Sequence, residues 1–294
     1  MTKYFLASVF ALLTLVSCSP KKHDALRLKI SELAPSTKGH LGVAIMLLES
    51  GDTLSYRGHL HCPMQSVFKF PISMAVLHAV DEGQLSLDQK IHVSKSDWRP
   101  DYSPLRDKYH EEAADISIRE LLSYTVSLSD NIGCDILLKA AGGPENVNAY
   151  IHSLGVKNIT IAASEMQMHT AWEVQYTNWC EPLAMLQLLE ILHKGQALSA
   201  TSNAYLWKIM SETSTGQRRI KGLLPKGTPV AHKTGTGPMD DAVITSATND
   251  AGIITLPSGK HLAVVVFITD AAANKATREA TIAQIAKAAY DEKW

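Results

Sequence analysis

Two blocks of strand-like sequence, one near each end of the chain, constrain its fold more than any other feature. Residues 41–48 are an almost unbroken apolar run. The turn Ser50-Gly51-Asp52 follows, and residues 53–59 alternate in polarity. This is the pattern of a β-hairpin. Strand signals return only after Pro225, at 230–234, 243–256 and 261–269, the last two joined by Pro257-Ser258-Gly259. Between the blocks, from Val67 to about Leu192, helical spacing dominates. It is broken at Gly83, at 98–104, at Gly142-Gly143-Pro144 and across 160–178. Helical segments at 25–33 and 274–290 flank the strands. An isolated hairpin is marginal in water, so the two blocks are expected to pair. The expected fold is mixed α/β, of the α+β kind: one antiparallel sheet built from both chain ends and flanked by helices, with an inserted all-helical lobe. Residues 25–65 and 215–294 would form the first lobe and 66–214 the second. The cleft between them is the place for a small-molecule site.

The 294 residues carry 28 basic and 29 acidic side chains with no basic run, which argues against nucleic acid as a partner. Lys3 precedes an apolar stretch over 4–16, too short to span a bilayer but suited to a signal peptide over 1–17. The stretch ends in Leu15-Val16-Ser17-Cys18, which resembles a bacterial lipobox. An exported, periplasmic protein is therefore expected, attached to the membrane only through a lipidated Cys18. The other cysteines, Cys62, Cys134 and Cys180, have no metal or redox spacing and are expected to be small buried hydrophobes. His59 and His61 would share one strand face, but no further ligand follows at metal spacing, so no metal is expected. No phosphate-cradling loop or dinucleotide fingerprint is present, and no cofactor is expected.

The chemistry is concentrated in a few short stretches. In Met64-Gln65-Ser66-Val67-Phe68-Lys69-Phe70-Pro71 a helix starting at about Ser66 would put Ser66 and Lys69 on one face. A hydroxyl beside an amine is a nucleophile beside its base. Ser66 would also stand at the positive end of the helix dipole. Ser129-Asp130-Asn131 are residue types that cap helices, or polar groups facing a cleft. Lys233-Thr234-Gly235 ends a predicted strand, and Glu165 opens Glu165-Met-Gln-Met-His169 in a stretch without periodicity.

Taken in order, Ser-x-x-Lys, Ser-Asp-Asn, the glutamate and Lys-Thr-Gly resemble the class A serine β-lactamases. The steps are 63 residues from Ser66 to Ser129, 36 to Glu165 and 68 to Lys233. Gln65, His169 and Thr236 resemble the cephalosporinase-type, extended-spectrum branch. The resemblance implies hydrolysis of a small-molecule β-lactam, cephalosporins favoured and penicillins included, by a monomer. Ser66 would attack the ring carbonyl, with Lys69, or Glu165 through water, as the acylation base. Ser129 would pass a proton to the ring nitrogen, and Asn131 would bond the substrate's side-chain amide. Lys233, Thr234 and Arg219 would hold the substrate carboxylate, and Gly235 would let substrate lie along the strand. The N–H groups of Thr236 and Ser66 would form the oxyanion hole, and Tyr102 would gate the cleft. Glu165 would activate the deacylating water, and its presence separates a hydrolase from the alternatives, a peptidoglycan DD-peptidase or a β-lactam sensor domain. The chain also departs from the family pattern. His169 stands where an asparagine is usual, either touching that water or packing the loop. Ser164 precedes Glu165 where an arginine is usual, and Asn178 lies near the place of that arginine's acidic partner. The stretch around 110–115 is about two residues longer than usual.

Overall fold

The computed structural model describes residues 23–294, so the signal segment and Cys18 lie outside the described residues. The chain opens with α1 (Asp24–Leu33) and the hairpin β1 (His40–Leu47) and β2 (Asp52–Tyr56), turned by Gly51 at φ 73°. Then come β3 (Cys62–Pro63), α2 (Lys69–Asp81), β4 (Lys90–Val93), α3 (Pro104–Tyr109) and β5 (Ala114–Ser117). Four helices and two short strands complete the middle: α4 (Ile118–Ser127), α5 (Asn131–Ala140), α6 (Pro144–Ser153), β6 (Ile159–Thr160), α7 (Glu165–Met168) and β7 (Trp179–Cys180). The chain continues through α8 (Pro182–Lys194), α9 (Ala200–Ser211), β8 (Val230–Thr236), β9 (Thr245–Thr255), β10 (His261–Ala271) and α10 (Lys275–Asp291).

Helix ends follow local chemistry. Side chains of Ser117, Asp130, Ser199 and Asn274 accept N–H bonds at the starts of α4, α5, α9 and α10. Proline opens α6 and α8, and Gly195 closes α8 in the left-handed conformation.

Five strands from the two chain ends form one antiparallel sheet in the order β2-β1-β10-β9-β8. Both faces are covered, and the central strands β1 and β10 read as nearly continuous apolar runs. Along β10, Leu262, Val264, Val266 and Ile268 face a core shared with Leu26 and Ile30 of α1 and Ile282 and Ile285 of α10. The alternate residues Ala263, Val265 and Phe267 face the larger core, which holds α2, α4 and α8. That period-two division fixes the register, because a one-residue slip would exchange the two faces.

Several local expectations are corrected. The middle of the chain also carries small sheets, β4 with β5 and β3-β7-β6. Residues 243 and 244 belong to a turn rather than to β9: Val243 sits at φ 65°, and Asp240 accepts the Ile244 N–H at 2.7 Å. Residues 59–61 are not strand. Cys62, Cys134 and Cys180 are free and buried, as expected, with Cys62 and Cys180 cross-strand partners between β3 and β7.

Candidate active site

The turn before α2 is tighter than expected. Residues Gln65–Phe68 form a 3-10 turn, and the α-helix begins at Lys69. Pro71 is then its third residue, within the first turn where backbone N–H groups have no helical partner. Gln65 takes φ 47°, a conformation that strains a residue with a Cβ. Its side-chain amide donates to Gln175 Oε1 at 2.8 Å in a buried contact. The turn carrying Ser66 is thereby tied to the segment after Glu165.

Lys69 is fully buried and gathers the site around its Nζ. It lies 3.0 Å from Ser66 Oγ, 2.8 Å from Glu165 Oε1, 2.8 Å from the Ser129 carbonyl and 2.5 Å from Asn131 Oδ1. Ser66 Oγ is 3.5 Å from Glu165 Oε1. Glu165, 4 % exposed, points inward, well within one bridging water of the hydroxyl.

Ser129 is held at φ 62°, another left-handed non-glycine residue beside the site. Lys233 Nζ donates to its Oγ at 2.9 Å and to the Thr234 carbonyl at 3.0 Å. Burial drives Lys233 well below the usual lysine range, and the neighbouring Lys69 charge acts in the same direction. Asp130 caps α5 through the Gly133 N–H and also accepts from Ser103 Oγ and the Leu105 N–H. Burial still raises its carboxyl above the ordinary range. Asn131 bridges Lys69 and Asp101, donating to Asp101 Oδ1 at 2.7 Å.

The loop bearing Glu165 holds its shape without the missing arginine. Its neck is closed by β6-β7-β3 pairing. Asn178 Oδ1 accepts the N–H groups of Ala162 and Ala163, and its amide donates to the Ala163 carbonyl. Asp135, from α5, accepts the N–H of Glu165 at 2.7 Å and of Met166 at 3.0 Å, and is paired with Arg99 at 2.7 Å. Burial raises the Asp135 carboxyl despite these bonds. His169 is exposed, and its Nδ1 donates to the Glu165 carbonyl at 2.8 Å, so the ring pins the short helix α7.

A cleft of about 530 Å³ opens over this cluster. Of the sequence-predicted residues, Ser66, Tyr102, Ser129, Asn131, Arg219, Thr234 and Thr236 line it, while Lys69, Glu165 and Lys233 stand behind its wall. Tyr102, 56 % exposed, stands at the surface of the cleft. Arg219 is buried and heavily bonded. It is 3 % exposed and donates to the carbonyls of Gly235 and Asn249 and to Thr236 Oγ1, with Glu279 beside it at 3.3 Å. It braces the C-terminal end of β8 from the wall of the cleft.

Gly235 needs a correction as well. A Cβ there would meet the Met64 carbonyl at 2.4 Å and Val67 Cγ2 at 3.2 Å, both on the Ser66 turn. The glycine lets that turn press against β8, and it is this turn that its missing side chain faces. Because β8 is the outer strand and the Gly237 N–H is spent on the Ala247 carbonyl, alternation leaves the Thr236 N–H on the free edge.

Sequence reasoning missed Asp135, Asp101, Gln175 and the lining residues Thr215, Lys275 and Glu279. The first three belong to none of the motifs; Asp135 and Asp101 share Arg99 as a partner, and all three meet the site through residues distant in sequence. His59 and His61 also have an unforeseen partner: both face Glu181, at 2.8 and 3.5 Å.

Comparison with known proteins agrees with this geometry. The model of the family described as "Beta-lactamase enzyme family" matches residues 25–293. Beta-lactamase VEB-1 of Pseudomonas aeruginosa is 42% identical over 294 residues, covering 99% of this chain and 98% of its own. Extended-spectrum beta-lactamase PER-1 of the same organism is 42% identical over 266 residues, covering 90% and 86%. The crystal structure of a β-lactamase from Chitinophaga pinensis superposes with a TM-score of 0.89 at 53% identity, covering 91% of this chain and 99% of that one. A hydroxyl, two amines and an inward carboxylate gathered under one cleft, on this sheet and with these relatives, place the chain in the β-lactamase family, among its class A serine enzymes.

Proposed function

We propose that the protein opens the β-lactam ring of antibiotics, cephalosporins foremost and penicillins included, through an ester on Ser66 that water activated by Glu165 then hydrolyses. The observation that carries this reading is the triangle of Ser66 Oγ, Lys69 Nζ and Glu165 Oε1, with sides of 3.0, 2.8 and 3.5 Å. Ser66 Oγ attacks the ring carbonyl and gives its proton to the Lys69–Glu165 pair, which accepts it as a unit. The developing oxyanion lies between the N–H groups of Ser66 and Thr236; one such donor is typically worth about 10² to 10³ in rate. The C–N bond breaks; Ser129, bonded to Lys233, delivers its proton to the departing nitrogen and takes the Ser66 proton in exchange from Lys69, 3.5 Å away, which leaves Glu165 a carboxylate again. Lys233, Thr234 and the Arg219-braced edge of β8 receive the substrate carboxylate. Glu165 then takes a proton from water as the water attacks the ester; the acyl C–Oγ bond breaks and that proton passes to Ser66 Oγ, which frees the serine. Preference for cephalosporins rests on Thr236 at the strand edge and on likeness to a relative described as extended-spectrum. Export, with attachment through a lipidated Cys18, and action as a monomer complete the proposal.

Ser66→Ala is expected to lower turnover of a chromogenic cephalosporin by roughly 10⁶-fold. Glu165→Ala is expected to form the acyl adduct and stall, visible as a persistent mass increment on intact protein. Prompt release of that adduct would remove Glu165 from its role.

A further inference from the structure

We propose that Glu49, His193 and His261 form a binding site for one divalent transition-metal ion of the zinc class, away from the hydrolytic cleft. Glu49 lies just after β1, His193 in the last turn of α8, and His261 is the first residue of β10. Their ligand atoms all fall within 4.8 Å of one another. Glu49 Oε1 is 2.8 Å from His261 Nδ1 and 3.7 Å from His193 Nε2. Both carboxylate oxygens also accept the His261 backbone N–H, at 3.0 Å, which aims the carboxylate at the two rings. A tetrahedral zinc ion with ligands at roughly 2.1 Å separates those ligands by about 3.4 Å, so the observed spacings need only rotamer-scale adjustment. Two imidazoles and one carboxylate suit zinc, copper or nickel; magnesium and calcium prefer oxygen alone. The side chains are 35, 21 and 25 % exposed, which admits an ion and leaves room for water as a further ligand.

A plain hydrogen-bonded carboxylate explains the contact with His261; the second imidazole, from another element, packs on the His261 ring at 4.7 Å between centroids and brings its Nε2 to 3.7 Å from the same oxygen. The contrasting pair His59 and His61 meets opposite oxygens of Glu181, on rings 76 and 62 % exposed, and is no shared-ligand cluster. None of the three proposed ligands lines the hydrolytic cleft. An ion here would join residues 49, 193 and 261, which are near one another only in the folded chain. It would therefore bind the native state and stabilise it. Trp207 stands beside the site, its ring 6.3 Å from His193 and 5.8 Å from His261, and supplies an optical probe.

The test uses tag-free protein stripped with a chelator. Zinc chloride titrated calorimetrically is expected to bind at one ion per chain. It is expected to raise the melting temperature by about 5 °C when free zinc is a hundredfold above Kd. Copper(II) is expected to quench part of the tryptophan emission, and Trp207→Phe to abolish that part. His193→Gln, His261→Gln and Glu49→Gln should each weaken zinc binding by more than the roughly tenfold that loss of an outer-shell partner brings. Melting curves without metal show that each variant is folded; should one fail to fold, the Trp207→Phe quenching comparison decides. Zinc uptake unchanged in the histidine variants would overturn the proposal. So would uptake lost only on replacing His59 or His61, quenching that survives Trp207→Phe, or no thermal shift at about 1 mM free zinc.

Discussion

Gly235→Ala separates two explanations of the glycine in the Lys-Thr-Gly stretch. The added methyl would sit 2.4 Å from the Met64 carbonyl oxygen, whereas such contacts essentially never fall below 3.0 Å. The strand and the Ser66 turn must therefore part by 0.6 Å or more, and the obstacle is backbone, which no rotamer change relieves. Overpacking of this kind typically costs about 1 to 3 kcal/mol, a few degrees in melting temperature. The same displacement separates the Ser66 and Thr236 N–H groups that act together on one oxygen. A misplacement approaching 1 Å costs on the order of 10² in rate. Steady-state kinetics on a small and a bulky cephalosporin, with thermal melts, provide the assay. We expect kcat to fall on both substrates by about 10- to 100-fold, with a lower melting temperature. If stability and kcat are unchanged while KM rises for the bulky substrate alone, the glycine serves substrate approach, and the packing account fails.

Two further outcomes follow from the same structure. Asp135→Asn removes the anionic acceptor shared by Arg99 and the N–H groups of Glu165 and Met166. Deacylation is expected to slow by about 10- to 100-fold with acylation little changed, giving a pre-steady-state burst; slowed acylation without a burst contradicts this. Lys233 has its folded pKa driven down by burial, so its ammonium is disfavoured in the native state. That penalty is absent above the unfolded lysine value of about 10.4, grows as pH falls toward the folded value, and is fully present below it. Lys233→Met is therefore expected to lose activity yet melt higher than the parent at pH 7, the gain shrinking as pH rises toward 10; melts that show no gain at pH 7 count against the burial account.

The linear chain by itself determined the sheet and the chemical inventory. Strand-forming runs at both ends have no partner except each other, and Ser66 and Lys69 are neighbours under any helical turn. Caps such as Asp130 and stops such as Gly195 are equally local. What only the tertiary structure decided is whatever depends on atoms distant in sequence meeting at contact range. Glu165 faces inward because Asp135 on another helix captures its backbone, and a carboxylate accepting two N–H groups leaves no local pattern. Arg219 carries no local sign of its partners, yet it braces β8 with Glu279 of the last helix beside it. Gly235 is small on account of a carbonyl 171 residues earlier. Propensity and periodicity act over a few residues, whereas close packing and the need to satisfy buried polar groups act through space, and the latter set the working geometry of the cleft.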